Sequence, residues 1–115
     1  SQPSMKIALA RNQLEEIVGM GAFLQTFEPS LKGKRRSVGY IYELQVIEGW
    51  QGRGIGGLLL SAIEQHIREA FDCHLVMLTC FCENTAALRF YYGHGFTKDE
   101  ISPNNKDYLI LSKII

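Results

Sequence analysis

The clearest structural signal in the chain is WQGRGIGGLLLSAIEQHIREAF, residues 50–71. Four glycines lie within residues 52–57, and an amphipathic run with apolar residues at helical spacing follows at once. Glycine lowers helix stability, so glycines crowded at a helix start indicate that something approaches the backbone closely. The first N–H groups of a helix are unpaired and lie at the positive end of its dipole, so these residues predict an anion-binding loop.

The glycines have other possible interpretations, both structural and as phosphate loops of known type. They could mark a tight turn, or close packing of a helix on a strand. A Walker A loop requires Lys followed by Ser or Thr after its last glycine, whereas Leu58 follows Gly57 here. The Rossmann fingerprint requires an acidic strand end about 20 residues on, and here that strand ends in TCFCEN, residues 79–84. We therefore predict a phosphate loop of another kind, to which Arg53 adds positive charge.

Length and composition limit the possible functions. The 115 residues suit one compact domain, residues 1–115, with no room for a second. The formal net charge is zero, with 12 basic and 12 acidic residues, so no overall field attracts the molecule to nucleic acid or membrane. No apolar run is long enough to span a bilayer, and no basic and apolar leader opens the chain. We expect neither a nucleic-acid nor a membrane partner.

The cysteines and histidines do not form a recognisable metal motif. Cys73, Cys80 and Cys82 are an odd number, and no second Cys or His pair lies at zinc spacing. We expect free thiols, buried or half-buried, in a reducing compartment, and no metal site. The histidines, including His94 in a glycine turn, are expected on the surface.

The remaining pattern predicts the element order β-β-β-α-β-α-β-β. Strands are predicted at residues 5–10, 17–27, 38–48, 74–82, 95–101 and 107–115, and helices at 54–71 and 84–94. Residues 28–37, which carry four basic side chains, are predicted to be a loop. This order implies a mixed sheet with helices packed against it.

Two motifs carry a resemblance to a known family. Gln51-x-x-Gly54-x-Gly56, between a strand and a helix, resembles the cofactor motif of the GNAT superfamily of N-acetyltransferases, whose loop holds the pyrophosphate of acetyl-CoA. Residues 84–96, NTAALRFYYGHGF, resemble the family's closing motif. The resemblance covers about residues 5–115 and implies an α/β GNAT fold, a mixed, mostly antiparallel sheet with splayed central strands and flanking helices. The family's first strand and following two helices have no counterpart, so we expect a truncated or minimal chain.

A narrower resemblance concerns the acceptor. YIYELQV at 40–46, VMLTCF at 76–81 and DYLILSK at 107–113 are similar to the NatD type, N-terminal acetyltransferases that modify the leading serine of certain histones. This resemblance implies acetyl-CoA as co-substrate and direct attack in a ternary complex. The implied acceptor is the N-terminal amine of a protein, such as a histone with a Ser-Gly-Arg-Gly start. It also implies a location in the cytoplasm, the nucleus or both.

Amine acetylation requires a base for the amine, donors for the oxyanion and a proton for the leaving thiolate. Glu43, an acid in a strand that the family buries, is the predicted base, and an exposed strand charge is the alternative. Tyr91 matches the family's general acid, with Tyr92 as the alternate. Tyr42, beside Glu43, completes the predicted catalytic group.

Substrate and cofactor contacts are implied by the same resemblance. Tyr40 shares a strand face with Tyr42, opposite Glu43 unless a bulge intervenes. Tyr40 could either bind the acceptor or pack in the core. Tyr108 could either close over the acceptor or simply lie in the terminal hairpin. In the family the backbone of the splayed strand pairs with the pantetheine arm. The implied cofactor-binding residues are Gln45, Val46, Ile47, Gln51, Arg53, Gly54, Ile55, Gly56, Gly57, Leu58, Thr79 and Asn84, the last also a predicted helix cap.

Other functional classes remain open on the sequence. A non-enzymatic module could keep the pyrophosphate loop without positioning an acceptor, and a plain interaction domain could use the glycines structurally. Within the enzymes, the acceptor could be a lysine side chain or a small amine. The sequence does not indicate an oligomeric state.

Overall fold

The computed structural model describes residues 4–115. The elements follow the predicted order β-β-β-α-β-α-β-β. They are β1 Lys6–Arg11, β2 Ile17–Pro29, β3 Arg35–Val46, α1 Ile55–Ala70, β4 Leu75–Phe81, α2 Thr85–Gly93, β5 Thr97–Lys98 and β6 Tyr108–Ile114.

The six strands form one sheet in the order β1-β2-β3-β4-β6-β5. Every neighbouring pair is antiparallel except β3 and β4, which are parallel. These two central strands pair only where residues 39–41 lie beside residues 76–78. Beyond this point residues 42–46 of β3 and residues 79–81 of β4 do not pair with each other, and we call the gap between them the fork. The predicted splay of the central strands is confirmed.

Both helices pack on one face of the sheet, here called the helix face. The side chains of Ile63 and Ile67 in α1 are fully buried. A Cβ atom at Gly21 would lie 2.5 Å from Cδ1 of Ile63, and one at Gly39 would lie 2.4 Å from Cδ1 of Ile67. The absence of side chains at these glycines therefore lets α1 approach the strands closely. Helix α2 packs against the same buried core through Ala87, Leu88, Phe90 and Tyr91. The opposite face is called the open face.

A β-bulge in β3 decides which side chains reach the open face. Ala22 lies opposite Glu43 and Phe23 lies opposite Ile41, so Tyr42 is an extra residue without a partner. The strict alternation of β3 is therefore broken at Tyr42, and Tyr40 and Glu43 lie on the same face. The sequence predicted that Tyr40 and Glu43 lie on opposite faces unless a bulge intervenes, and the structure contains that bulge.

The β2–β3 hairpin is longer than predicted. Strand pairing continues into the expected loop, which shrinks to residues 30–34. Glu28 lies opposite Arg36, and the guanidinium of Arg35 lies 4.1 Å from the ring centre of Phe27. These cross-strand contacts stabilise strand ends that composition alone assigns to a loop.

Strands β3 and β5 each end at least two residues earlier than predicted. Strand β3 ends at Val46 rather than residue 48, because the N–H of Trp50 donates to the carbonyl of Ile47 and forms a turn. Strand β5 covers only residues 97–98, because the Asp99 carboxylate accepts a hydrogen bond from the N–H of Ile101 and turns the chain.

The cysteines are free, as predicted. Cys73 and Cys80 are buried, and Cys82 is partly buried. Within residues 4–115 there is no group of three or more His, Cys, Asp or Glu that could hold a metal ion. No helix in this part of the chain is long and apolar enough to cross a membrane.

Candidate active site

The glycine loop ends at the start of α1. Gly54 is the N-cap residue, with a left-handed φ of 82° that favours glycine, and no side chain caps the helix. Its carbonyl accepts the first intrahelical bond, from the N–H of Leu58 at 3.1 Å. The N–H groups of residues 55–57 precede that bond and are left for a ligand. No acidic residue lies in the first turn, so the dipole at this helix start remains available to an anion.

A cavity of about 740 Å³, here called the groove, lies between this helix start, the β3 side of the fork and α2. Its volume is in the range of small-molecule and cofactor sites. The predicted site residues that line it are Val46, Gln51, Gly54, Ile55, Gly56, Gly57 and Tyr91. Sequence reasoning did not place seven further lining residues in the site: Leu44, Trp50, Gly52, Ala86, Ala87, Phe90 and His94.

The backbone of β3 determines which amides face the fork. The N–H of Ile47 donates to the carbonyl of Val18 at 2.9 Å, so it points toward β2. Backbone groups alternate along a strand, so Gln45 also points toward β2, whereas Leu44 and Val46 point toward the fork. Of the three predicted residues Gln45, Val46 and Ile47, only Val46 therefore has backbone groups that face the fork, and Leu44 joins it; a contact with a pantetheine arm stays a prediction.

Gln51 has a structural contact at this edge. Its Nε2 donates to the carbonyl of Val46 at 3.0 Å, which ties the glycine loop to the end of β3. The side chain therefore occupies one of the backbone groups that face the fork. The N–H of Val46, on the same side, is left for a ligand.

Tyr91 is the phenol of the groove. Its ring packs edge-on against Phe90 and Phe96, with ring centres 5.3 and 5.5 Å away. Burial raises the pKa of Tyr91 to about 12, and the nearby Cys80 thiol acts in the same direction. The hydroxyl thus keeps its proton at neutral pH, as a general acid must. Tyr92 is 47% exposed and does not line the groove, so the geometry favours Tyr91 over its alternate.

Helix α2 begins and ends with groups near the groove. Asn84 caps the helix as predicted, since its Oδ1 accepts from the N–H of Ala87 at 3.2 Å. A contact between Asn84 and the cofactor stays a prediction. At the other end the imidazole of His94 packs against the ring of Phe90 in a tilted arrangement, with ring centres 4.4 Å apart. His94 was expected only on the surface; it is exposed and also lines the groove.

Several predicted residues lie on the open face instead of in the groove. The hydroxyl of Tyr40 is hydrogen-bonded to Oγ1 of Thr79, and the rings of Tyr40 and Tyr42 are 4.9 Å apart. Burial raises the pKa of Tyr40. Glu43 is exposed, so the expectation of a covered acid was wrong. The bulge at Tyr42 places Glu43 on the open face beside Tyr40, so the base assignment itself stays a prediction.

Arg53 and Leu58 lie beside the groove rather than in it. The guanidinium of Arg53 lies 4.6 Å from the ring centre of Trp50. Arg53 and Leu58 line a second cavity of about 490 Å³, between α1 and the first two strands. Trp50 and Ile55 line both cavities. Cofactor contacts from Arg53 and Leu58 remain predictions.

Comparison with known proteins assigns the family. A sequence model of the acetyltransferase (GNAT) family matches residues 2–96. This chain belongs to the GNAT acetyltransferase family. One curated relative, the spermine/spermidine N(1)-acetyltransferase of Bacillus subtilis (strain 168), is 39% identical over 49 residues, which are 43% of this chain and 32% of the relative. The match thus spans about a third of that relative's length.

Solved structures share the fold over almost the entire chain. A GNAT family acetyltransferase from Elizabethkingia anophelis with acetyl-CoA bound is 20% identical, with a TM-score of 0.77, over 97% of this chain and 77% of the neighbour. The PaiA N-acetyltransferase of Thermoplasma acidophilum in complex with coenzyme A is 16% identical, with a TM-score of 0.76, over 96% and 61%. The predicted α/β GNAT fold is confirmed.

Proposed function

We propose that this protein transfers the acetyl group of acetyl-CoA to an amine. The observation that carries the proposal is the groove, where the unpaired amides of α1, the fork-facing edge of β3 and the Tyr91 hydroxyl meet. Two proteins of the same fold have acetyl-CoA or coenzyme A bound, which supports acetyl-CoA as co-substrate.

In this mechanism the pyrophosphate binds at the N–H groups of residues 55–57, where the helix dipole favours an anion. The pantetheine arm pairs with the main chain of Leu44 and Val46 and brings the thioester to the fork. The neutral amine attacks the carbonyl carbon, the oxyanion is stabilised by main-chain donors, and the C–N bond forms as the C–S bond breaks. Tyr91 gives its proton to the thiolate, and the proton of the amine leaves through Glu43 or water.

Two classes of acceptor are supported by different observations. The curated relatives acetylate spermine or spermidine by name, which favours a small polyamine for this chain. The similarity of residues 40–46 to the NatD type favours a protein N-terminus, such as a histone start, as the second candidate. The polyamine is the favoured acceptor, since the similarity to these relatives rests on 39% sequence identity over 49 residues.

A panel of acceptors tests the proposal directly. Purified protein is incubated with acetyl-CoA and spermidine, a Ser-Gly-Arg-Gly peptide, or the same peptide with a blocked N-terminus and free lysines. Free thiol is measured against time. We expect turnover with spermidine above both peptides. Acetyl-CoA that protects against thermal unfolding without any turnover would indicate a binding module, and no protection at all would indicate a structural role for the glycines.

Glu43→Gln tests the predicted base. Because Glu43 is exposed, it would accept the proton of the amine through a water molecule. We therefore expect kcat of the variant at neutral pH to be about tenfold lower than that of the wild type, a smaller loss than removal of a fully positioned base causes. Activity should recover at high pH, where the amine is deprotonated without help. A variant as active as the wild type at every pH would show that Glu43 is only a solvated strand charge.

A further inference from the structure

Four aromatic side chains surround the fork on the open face, and we call them the aromatic surface: Tyr40, Tyr42, Phe81 and Tyr108. Thr79 contacts Tyr40, and Phe81 follows it on the same face of β4 by alternation. Phe81 lies opposite Tyr108 of β6, so these two side chains share that face. The aromatic surface therefore covers both sides of the gap through which an acceptor reaches the thioester.

The aromatic surface is open to a ligand. Tyr42 is 52% exposed and Phe81 is 57% exposed. Tyr40 is held across the fork by its hydrogen bond to Thr79, and Tyr42 packs against its ring at 4.9 Å. Tyr40 and Tyr42 are two residues apart in β3, and the bulge at Tyr42 adds Glu43 to the face that carries Tyr40.

The charges near the aromatic surface are negative. Glu43 lies on the same face, and the carboxylate of Glu28 is close enough to Tyr40 to help raise the pKa of that phenol, after the larger effect of burial. Arg36 lies opposite Glu28, and its guanidinium is also paired with Asp99 at 2.9 Å and with Glu100 at 3.4 Å. Within residues 4–115 no salt bridge involves Glu43, so the Glu43 carboxylate is available to a cationic ligand.

Resting on the proposed function, we propose that the aromatic surface and Glu43 bind the acceptor as an organic cation with a second ammonium group, as in a diamine or polyamine. The faces of phenol and phenyl rings attract alkylammonium ions through the ring quadrupole, and a carboxylate adds to that attraction. The reacting nitrogen must be neutral at the thioester, so the charge that this surface recognises lies on the other nitrogen of the acceptor. The surface thus selects diamines over monoamines of equal length.

The test compares 1,4-diaminobutane with butylamine, which have the same carbon chain and differ by one amine. We expect the wild type to favour the diamine in kcat/KM, and Tyr42→Leu to reduce this preference by about fivefold, the size of one exposed cation–π contact. Tyr42→Phe keeps the ring and should keep the preference. Phe27→Leu is the matched control, because Phe27 is also exposed, at 51%, but lies at the far end of the hairpin.

The outcomes separate this inference from the proposed function. Equal kcat/KM values for the two amines, or an unchanged preference in Tyr42→Leu, would overturn the inference while acetyl transfer stands. A preference for the Ser-Gly-Arg-Gly peptide over the diamine would also overturn it. Binding of diaminobutane alone, followed by NMR of the tyrosine rings, gives a readout without turnover: shifts of Tyr40 and Tyr42 support the inference, and their absence contradicts it. If calorimetry showed that the wild-type protein does not bind acetyl-CoA, that result would instead contradict the proposed function.

Discussion

Tyr91→Phe is expected to lower kcat by about 100-fold, the lower end of the contribution of a positioned general acid. The variant removes only the hydroxyl and keeps the ring contacts with Phe90 and Phe96. The melting temperature and the affinity for acetyl-CoA should therefore change little. Release of free coenzyme A with saturating acceptor measures kcat, and calorimetry measures the affinity.

Tyr92→Phe is the matched control, since Tyr92 is exposed and outside the groove. It should leave kcat unchanged. The pH profile provides a second check: because the pKa of Tyr91 is raised to about 12, its deprotonation should not lower the activity of the wild type near neutral pH or moderately above it. A Tyr91→Phe enzyme as fast as the wild type would assign the acid role to Tyr92 or to water.

Gly56→Glu is expected to weaken acetyl-CoA binding by at least tenfold, about 1.4 kcal/mol. A Cβ at Gly56 would lie 3.2 Å from Cε1 of Phe90 and 4.0 Å from Cγ2 of Val46, both of which line the groove. The new side chain therefore enters the groove, and its carboxylate repels the pyrophosphate. A negatively charged side chain in the first turn of a helix interacts favourably with the helix dipole, so the fold should be retained.

Gly56→Ala separates charge from volume, because it makes the same contact with Phe90 without the carboxylate. We expect its loss of affinity to be clearly smaller than that of Gly56→Glu. Calorimetry with acetyl-CoA measures both variants, and thermal unfolding without ligand shows whether they fold. Equal affinities for the wild type and Gly56→Glu would exclude a phosphate role for this helix start.

The regular elements were predictable because their signals are local. The apolar spacing of α1 and the apolar run of β4 correspond to observed elements within one residue at each end. The full length of the β2–β3 hairpin was not predictable, because its outer half depends on contacts between strands. One example is Glu28 opposite Arg36, which becomes visible only once the register is known. Composition alone therefore assigned a charged strand end to a loop.

The site was predicted in its backbone parts and less well in its side chains. Glycines at a helix start leave the backbone accessible, and the glycine loop at Gly54 lies where the sequence predicted it. The orientation of Glu43 depends instead on a single extra residue in β3, and a bulge leaves no clear sequence signal. His94 was missed because its place in the groove depends on a tilted ring contact with Phe90, four residues earlier in the chain.

The fork has a consequence for the order of events in the reaction. The groove lies on the helix face and the aromatic surface on the open face, so in the proposed function the two co-substrates would reach the gap from opposite sides of the sheet. Neither has to pass the other, and we expect random-order sequential kinetics with intersecting double-reciprocal plots. Coenzyme A should then compete with acetyl-CoA but not with the amine, and the acetylated amine can leave while coenzyme A is still bound.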